Sequence, residues 1–275
     1  MLLLALDTST NQSSLALCSA NQVYSEQTWN SRNNHSVELL TNMKRMMAEC
    51  NLTMSQLDAV AVATGPGSFN GVRVALATAK SLAFALRKPL VGISTLECIA
   101  AQQQQWPGPV CALLEAGRSE LYAACYQFTM QPGANGELTC QAHQLGDYLL
   151  LPPLQLVTYL REQSDAWLGV PGERQLPPFL FCGEISAASR EALHEQLQER
   201  CLFTSQAQST RYATYLAALA LQRLRDGDQD DPLALEPLYL RRPSITTSTR
   251  KQPLLGGTAH KHSPTTERDE GAVRR

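Results

Sequence analysis

Residues 59–86 leave the fewest architectural choices open. "AVAVAT" (59–64) is too apolar to be a strand with a wet face, so it reads as a strand covered on both sides. "GPGSFNG" (65–71) is a glycine-rich turn that opens directly onto "VRVALATAKSLAFAL" (72–86). Between Val72 and Leu86 only Arg73, Thr78, Lys80 and Ser81 are polar, so the helix is apolar nearly all round and needs cover on more than one side. One cover is its own sheet. The other is either a second layer of the same half or a partner chain approaching closely over the alanines.

The flanking segments extend this unit into an α/β pattern. "LLLALD" (2–7), "SSLALCS" (13–19) and "VYSEQTW" (23–29) are short strand-like runs separated by Ser, Asn and Gln, which predicts a meander with tight turns. In "HSVELLTNMKRMMAEC" (35–50), Leu39, Leu40, Met43, Met46, Met47 and Cys50 fall on one arc of a helix, opposite Glu38, Lys44, Arg45 and Glu49. "PLVGIST" (89–95) is another buried strand before a helix from Leu96. After "QQQQWPGP" (102–109), which suits a boundary, the pattern restarts with "VCALLEAG" (110–117) and "ELYAACYQF" (120–128). Helices around 154–163, 187–199 and 210–225, a strand "FLFCGE" (179–184) and a strand-like "EPLYLR" (236–241) follow. The expected organisation is a first lobe over 1–104, a second lobe with closing helices over 105–241, and a disordered tail over 242–275. In that tail Ser, Thr, Gly, Pro and charge leave too little apolar surface to offset the entropy of ordering.

Charge divides along the same line. From Arg241 to the end eight basic residues face three acidic ones, a surplus of five, so the net charge of −2 leaves −7 on residues 1–240. An acidic body argues against a domain that grips nucleic acid by itself, because such affinity comes mainly from Lys and Arg on phosphates. Eight cysteines lie far apart without a C-x-x-C pair, mostly in apolar runs, and read as reduced core thiols. "LLLAL" lacks a basic flank and runs into Asp7, which reads as a strand and not a signal peptide, and no apolar run approaches membrane-spanning length. A cytoplasmic protein is expected.

Chemistry-bearing motifs are sparse. A Walker loop requires G-x-x-x-x-G-K-[ST], whereas Val72 and Arg73 follow Gly71, so the glycine turn reads as a structural turn with Ser68 as helix cap. Ser68 in "GSF" lacks the G-x-S-x-G elbow of a hydrolase. His35, His143, His194, His260 and His262 supply no metal-ligand spacing, so no metal site is expected.

"LALDTSTNQSSLAL", "HSVELL", "LDAVAVATGPGSFNGVRVALATAKSLA", "GISTLE", "ELYAACY" and "EPLYLR" together resemble the bacterial TsaB family, also called YeaZ. The resemblance spans residues 1 to about 241 and departs from the family pattern at Asn70 and Glu115. It implies a two-lobed actin-like (ASKHA, ribonuclease H-like) fold. It also implies a non-catalytic subunit needed with the paralogue TsaD for threonylcarbamoyl transfer to N6 of adenosine 37 in tRNAs that read ANN codons. ATP and metal then belong to TsaD, which holds its metal with two histidines four apart; here His35 is followed at that distance by Leu39. TsaE and a second copy of the chain are further implied partners, with tRNA met only through the complex. Asp7, Thr8 and Ser9 match half of a phosphate turn, and Asp7 either holds a metal or caps the turn. The paired first two helices of the family set the expected partner surface at Leu39, Met43, Met46, Arg73, Ala77, Lys80 and Phe84. On the second helix Ala75, Leu82 and Leu86 should face inward, and Ala77 and Phe84 outward. The alternative is an ATP-dependent small-molecule kinase or ATPase of the same fold, and a glycoprotease-like peptidase is weaker still.

Overall fold

The computed structural model describes residues 1–31, 34–132, 138–168 and 178–241. β1 (Leu2–Asp7) and β2 (Gln12–Ser19) pair antiparallel with Leu4 opposite Leu17, and β3 (Val23–Asn30) continues the meander along β2. On the other side of β1 the strands run parallel: β4 (Ala59–Ala63) lies beside β1, and β5 (Leu90–Ile93) beside β4. The sheet order is therefore β3-β2-β1-β4-β5.

The alternation inside "LLLALD" and "AVAVA" decides what covers each face. Leu4, Leu6, Val60 and Val62 point to one side, where helices α1 (His35–Glu49) and α2 (Phe69–Leu86) bury them with Leu39, Met43, Met46 and Leu76. Leu3, Ala5, Ala59, Ala61 and Ala63 point to the other, where they meet Ala213, Leu216, Ala217 and Ala220 of a distant helix, Ala213–Arg225. Small side chains on both partners let that helix approach the sheet closely. Successive residues of a strand face opposite sides, so both faces are apolar without any run of identical residues.

The second half repeats the plan. β6 (Val110–Gly117), β7 (Glu120–Pro132) and β8 (Leu138–Leu151) form an antiparallel meander, and β9 (Phe179–Glu184) and β10 (Cys201–Phe203) add in parallel, giving the order β10-β9-β6-β7-β8. Read from β8, this is the first sheet's order again. α3 (Thr95–Ala101), between the halves in sequence, packs Leu96, Ile99 and Ala100 against Ala112, Leu114 and Tyr126. α4 (Pro153–Leu168) and α5 (Ala187–Leu197) cover the opposite face with Leu156, Leu160 and Leu193 against Phe179 and Phe181. Two mixed sheets of the same strand order, each clad by helices, are the actin-like arrangement.

Three expectations change. The helix Ala213–Arg225, α6, follows the second half in sequence but packs on the first sheet, because its alanine face fits the alanine face of β1 and β4. "EPLYLR" forms no regular strand; it is a strap whose Leu238 N–H donates to the Thr64 carbonyl at 2.8 Å. Finally, the thiols are not all reduced: Cys111 on β6 and Cys125 on β7 form a disulfide, being direct cross-strand partners on one face. Register is invisible in a spacing of fourteen residues. Cys18, Cys50, Cys98, Cys140, Cys182 and Cys201 are free, and burial pushes the thiol of Cys18 up to about 11. The tail expected over 242–275 lies outside the described residues. Among the described residues no helix is long and apolar enough to cross a membrane.

Candidate functional site

The turn between β1 and β2 is the first place to look for phosphate chemistry, and its side chains are engaged within the chain. Asp7 Oδ1 accepts from the Ser9 N–H at 2.8 Å, Thr8 donates to the Gly71 carbonyl at 2.7 Å, and Thr95 donates to the Ser9 hydroxyl at 2.8 Å. All three residues are buried. The glycine turn packs onto them from outside: a Cβ on Gly71 would stand 2.0 Å from the Thr8 carbonyl oxygen, and one on Gly67 would stand 2.1 Å from that of Ser9. Glycine is thus required for close backbone approach, and Ser68 caps α2 by accepting from the Gly71 N–H at 3.4 Å. Gly71→Ala is expected to lower the free energy of unfolding by about 2 kcal/mol or more, read from urea denaturation, because neither backbone can yield cheaply. An unchanged midpoint would show that the two turns do not need to touch.

A cleft of 1180 Å³ opens beside this turn, lined by Thr10, Gln12, Ser68, Glu115, Glu184 and Arg190 among others. Asp7, Thr8 and Ser9, read from the sequence as half of a phosphate turn, do not line it. The second oxygen of Asp7 instead accepts from Arg211 Nε at 2.9 Å. Arg211, only 2% exposed, also pairs with Glu184 and donates to the Gln12 carbonyl, while its own N–H reaches the Gln12 side chain at 2.9 Å. Burial alone would lower its basicity; the carboxylates of Asp7 and Glu184 outweigh that and raise it, so the guanidinium stays charged. Across the cleft Glu115 lies at the start of α5, accepting from the Ser186 N–H at 2.9 Å and the Ser189 hydroxyl at 2.8 Å. A helix start that could hold an anion is thereby taken by the chain's own carboxylate. These residues do not fit a metal-bound nucleotide: the anchoring carboxylate holds a guanidinium and the facing helix start holds a carboxylate. Among the described residues no group of three His, Cys, Asp or Glu side chains is placed to hold a metal ion.

The expected partner surface divides into two sets. Arg73, Ala77 and Phe84 are exposed along one stripe of α2, Phe84 by 77%, with Lys80 half-buried at its edge. Leu39, Met43 and Met46 are not on a surface at all; they are buried against Leu4, Leu15 and Leu17. A helix with a single apolar arc uses it on its own sheet. The outer face of α1 carries Val37 and Leu40 instead, exposed by 67% and 44%. At the cleft end of α2, Tyr239 of the strap stacks on Phe69 with ring centroids 5.2 Å apart, and Arg73 lies 4.9 Å from the Phe69 ring. Arg241 then donates to the Ala116 carbonyl at 2.7 Å and pairs with Glu120, so the strap ties the first sheet to the β6–β7 turn.

Fold and cleft define an actin-like protein in which the side chains of the β1–β2 turn are engaged within the chain. The family model described as TsaD, tRNA N6-adenosine threonylcarbamoyltransferase, matches residues 22–249, and the chain belongs to this family, among its TsaB, or YeaZ, proteins. It is 27% identical over 241 residues to the tRNA threonylcarbamoyladenosine biosynthesis protein TsaB of Bacillus subtilis, covering 88% of this chain and 94% of that one. With the TsaB of Buchnera aphidicola from Schizaphis graminum it shares 34% identity over 105 residues, 38% of this chain and 49% of that one. The solved structure of YeaZ from Pseudomonas aeruginosa superimposes with a TM-score of 0.65 at 25% identity, covering 87% of this chain and 99% of that one.

Proposed function

We propose that the chain is the non-catalytic subunit that TsaD requires to transfer a threonylcarbamoyl group to N6 of adenosine 37 in tRNAs that read ANN codons. TsaD carries the ATP, the metal and the transfer, TsaE joins the assembly in the cytoplasm, and tRNA is met through the complex. The observation that carries this reading is the outer face of α1 and α2, where Val37, Leu40, Ala77 and Phe84 stand exposed. A monomer gains nothing by exposing such a patch, whereas a partner covering it does. A second copy of the chain would compete for the same face. The engagement of Asp7 by Arg211 supports the absence of chemistry of its own.

The test is a reconstituted modification reaction. Omitting the chain should abolish threonylcarbamoylation of tRNA, and the chain without TsaD should support none. Modification that proceeds equally well without it would overturn the proposal.

The ATPase reading of the same fold draws its support from the size of the cleft. Titration of the isolated chain with ATP and magnesium separates the two. No saturable binding in the micromolar range is expected, because the remaining contacts are too few to offset immobilising a flexible ligand. Micromolar binding with turnover that Asp7→Ala abolishes would favour the ATPase.

A further inference from the structure

Two carboxylates from different sheets meet on one guanidinium. Asp7 closes β1 of the first sheet and Glu184 closes β9 of the second. Arg211 stands immediately before Tyr212, the N-cap of α6, which is itself packed on the first sheet. From there it holds Asp7 at 2.9 Å and pairs with Glu184, which lines the cleft. Thr10 donates to the same Glu184 oxygen at 2.8 Å, so the β1–β2 turn is bound to β9 by a neutral and a charged contact together. The Gln12 carbonyl completes the acceptors around the guanidinium.

Two carboxylates and a carbonyl converging on one point are a donor set for a hard cation. Here the cation is covalently part of the chain. Arg211 and Asp7 are buried, so removing the guanidinium leaves the Asp7 carboxylate uncompensated away from water, whereas Glu184 keeps partial access to solvent. A fold whose cleft is ordinarily bridged by a ligand and its metal therefore has, in this chain, a bridge that needs neither.

We propose that Arg211 is a built-in cation that clasps the two sheets across the cleft, fixing their relation without nucleotide and keeping Asp7 from any metal. The clasp is a property of the isolated chain and stands or falls apart from the partner reading.

Hydrogen exchange on the full chain tests it. Arg211→Ala should speed exchange about tenfold in both Thr8–Gln12 and Gly183–Ser186, which lie on opposite walls of the cleft. Millimolar guanidinium chloride should slow both segments again in the variant and leave the unsubstituted chain unchanged. Should Arg211→Ala fail to fold, Glu184→Gln decides: its side chain is 36% exposed and the amide oxygen still accepts from Thr10, so only the charge pair with Arg211 is lost, and exchange in Thr8–Gln12 should still rise. Acceleration confined to the variant's own wall, or none in either variant, would overturn the clasp, as would an Arg211→Ala chain indifferent to guanidinium.

Discussion

Leu39→Ala should lower the free energy of unfolding by about 3 kcal/mol, whereas Leu40→Ala, one residue along, should change it by about 0.5 kcal/mol or less. Leu39 is fully buried, packed among Leu4, Leu15, Met43 and Met46, and truncation there leaves a cavity that a close-packed core cannot fill. Leu40 points outward. The partner readout should reverse the order: Leu40→Ala weakens capture of TsaD while Leu39→Ala, at temperatures where it is folded, retains it. Urea denaturation of the two variants, with a pull-down at matched concentration, measures both. Equal destabilisation by the two would mean that α1 has no free face, and the docking surface would have to be sought elsewhere.

The same pair shows what a sequence can and cannot convey. Periodicity placed Leu39 and Leu40 on one arc, since adjacent residues are separated by about 100° and an arc of a third of the circumference admits both. Which of them meets the sheet depends on how α1 rotates against β2, and that is set by tertiary packing. On α2 the pattern carried further: Arg73, Ala77 and Phe84 lie outside, and Ala75 inside, as the charged edge requires. Leu82 and Leu86 are half-buried at the margin of the same core, leaving Leu76 as the deeply buried leucine of that helix, beside Val72, Ala75, Ala79 and Ala83.

The first meander, the strand–turn–helix unit and the restart at Val110 were legible because each is a local pattern of apolar spacing. β8 was not: "LTCQAHQLGDYLLL" mixes polar residues with Gly146 at φ +77°, and it is a strand only because β7 runs alongside it. Arg211 was equally hidden. It precedes an alanine-rich helix by two positions and resembles an ordinary surface arginine in "STRYATYL"; its three partners lie 204, 27 and 199 residues away. Long-range charge pairing leaves no trace in spacing, so half of the candidate site could be named from the β1–β2 turn and the half that closes it could not.

The outer face of α2 bears the central claim, and one double substitution tests it. Ala77→Glu with Phe84→Glu places two carboxylates on the exposed stripe beside Arg73, where water solvates them, so the unfolding midpoint of the monomeric chain should hardly move. Leu76→Glu on the inner face should unfold it by burying an unpaired charge. Against TsaD the double substitution desolvates two charges at the centre of an apolar contact, which should abolish capture and with it tRNA threonylcarbamoylation in the reconstituted reaction. The decisive measurement is that capture, made on protein whose denaturation curve overlays that of the unsubstituted chain: lost binding with an intact fold is the result expected here, and a folded double variant that still binds TsaD and supports modification would contradict it.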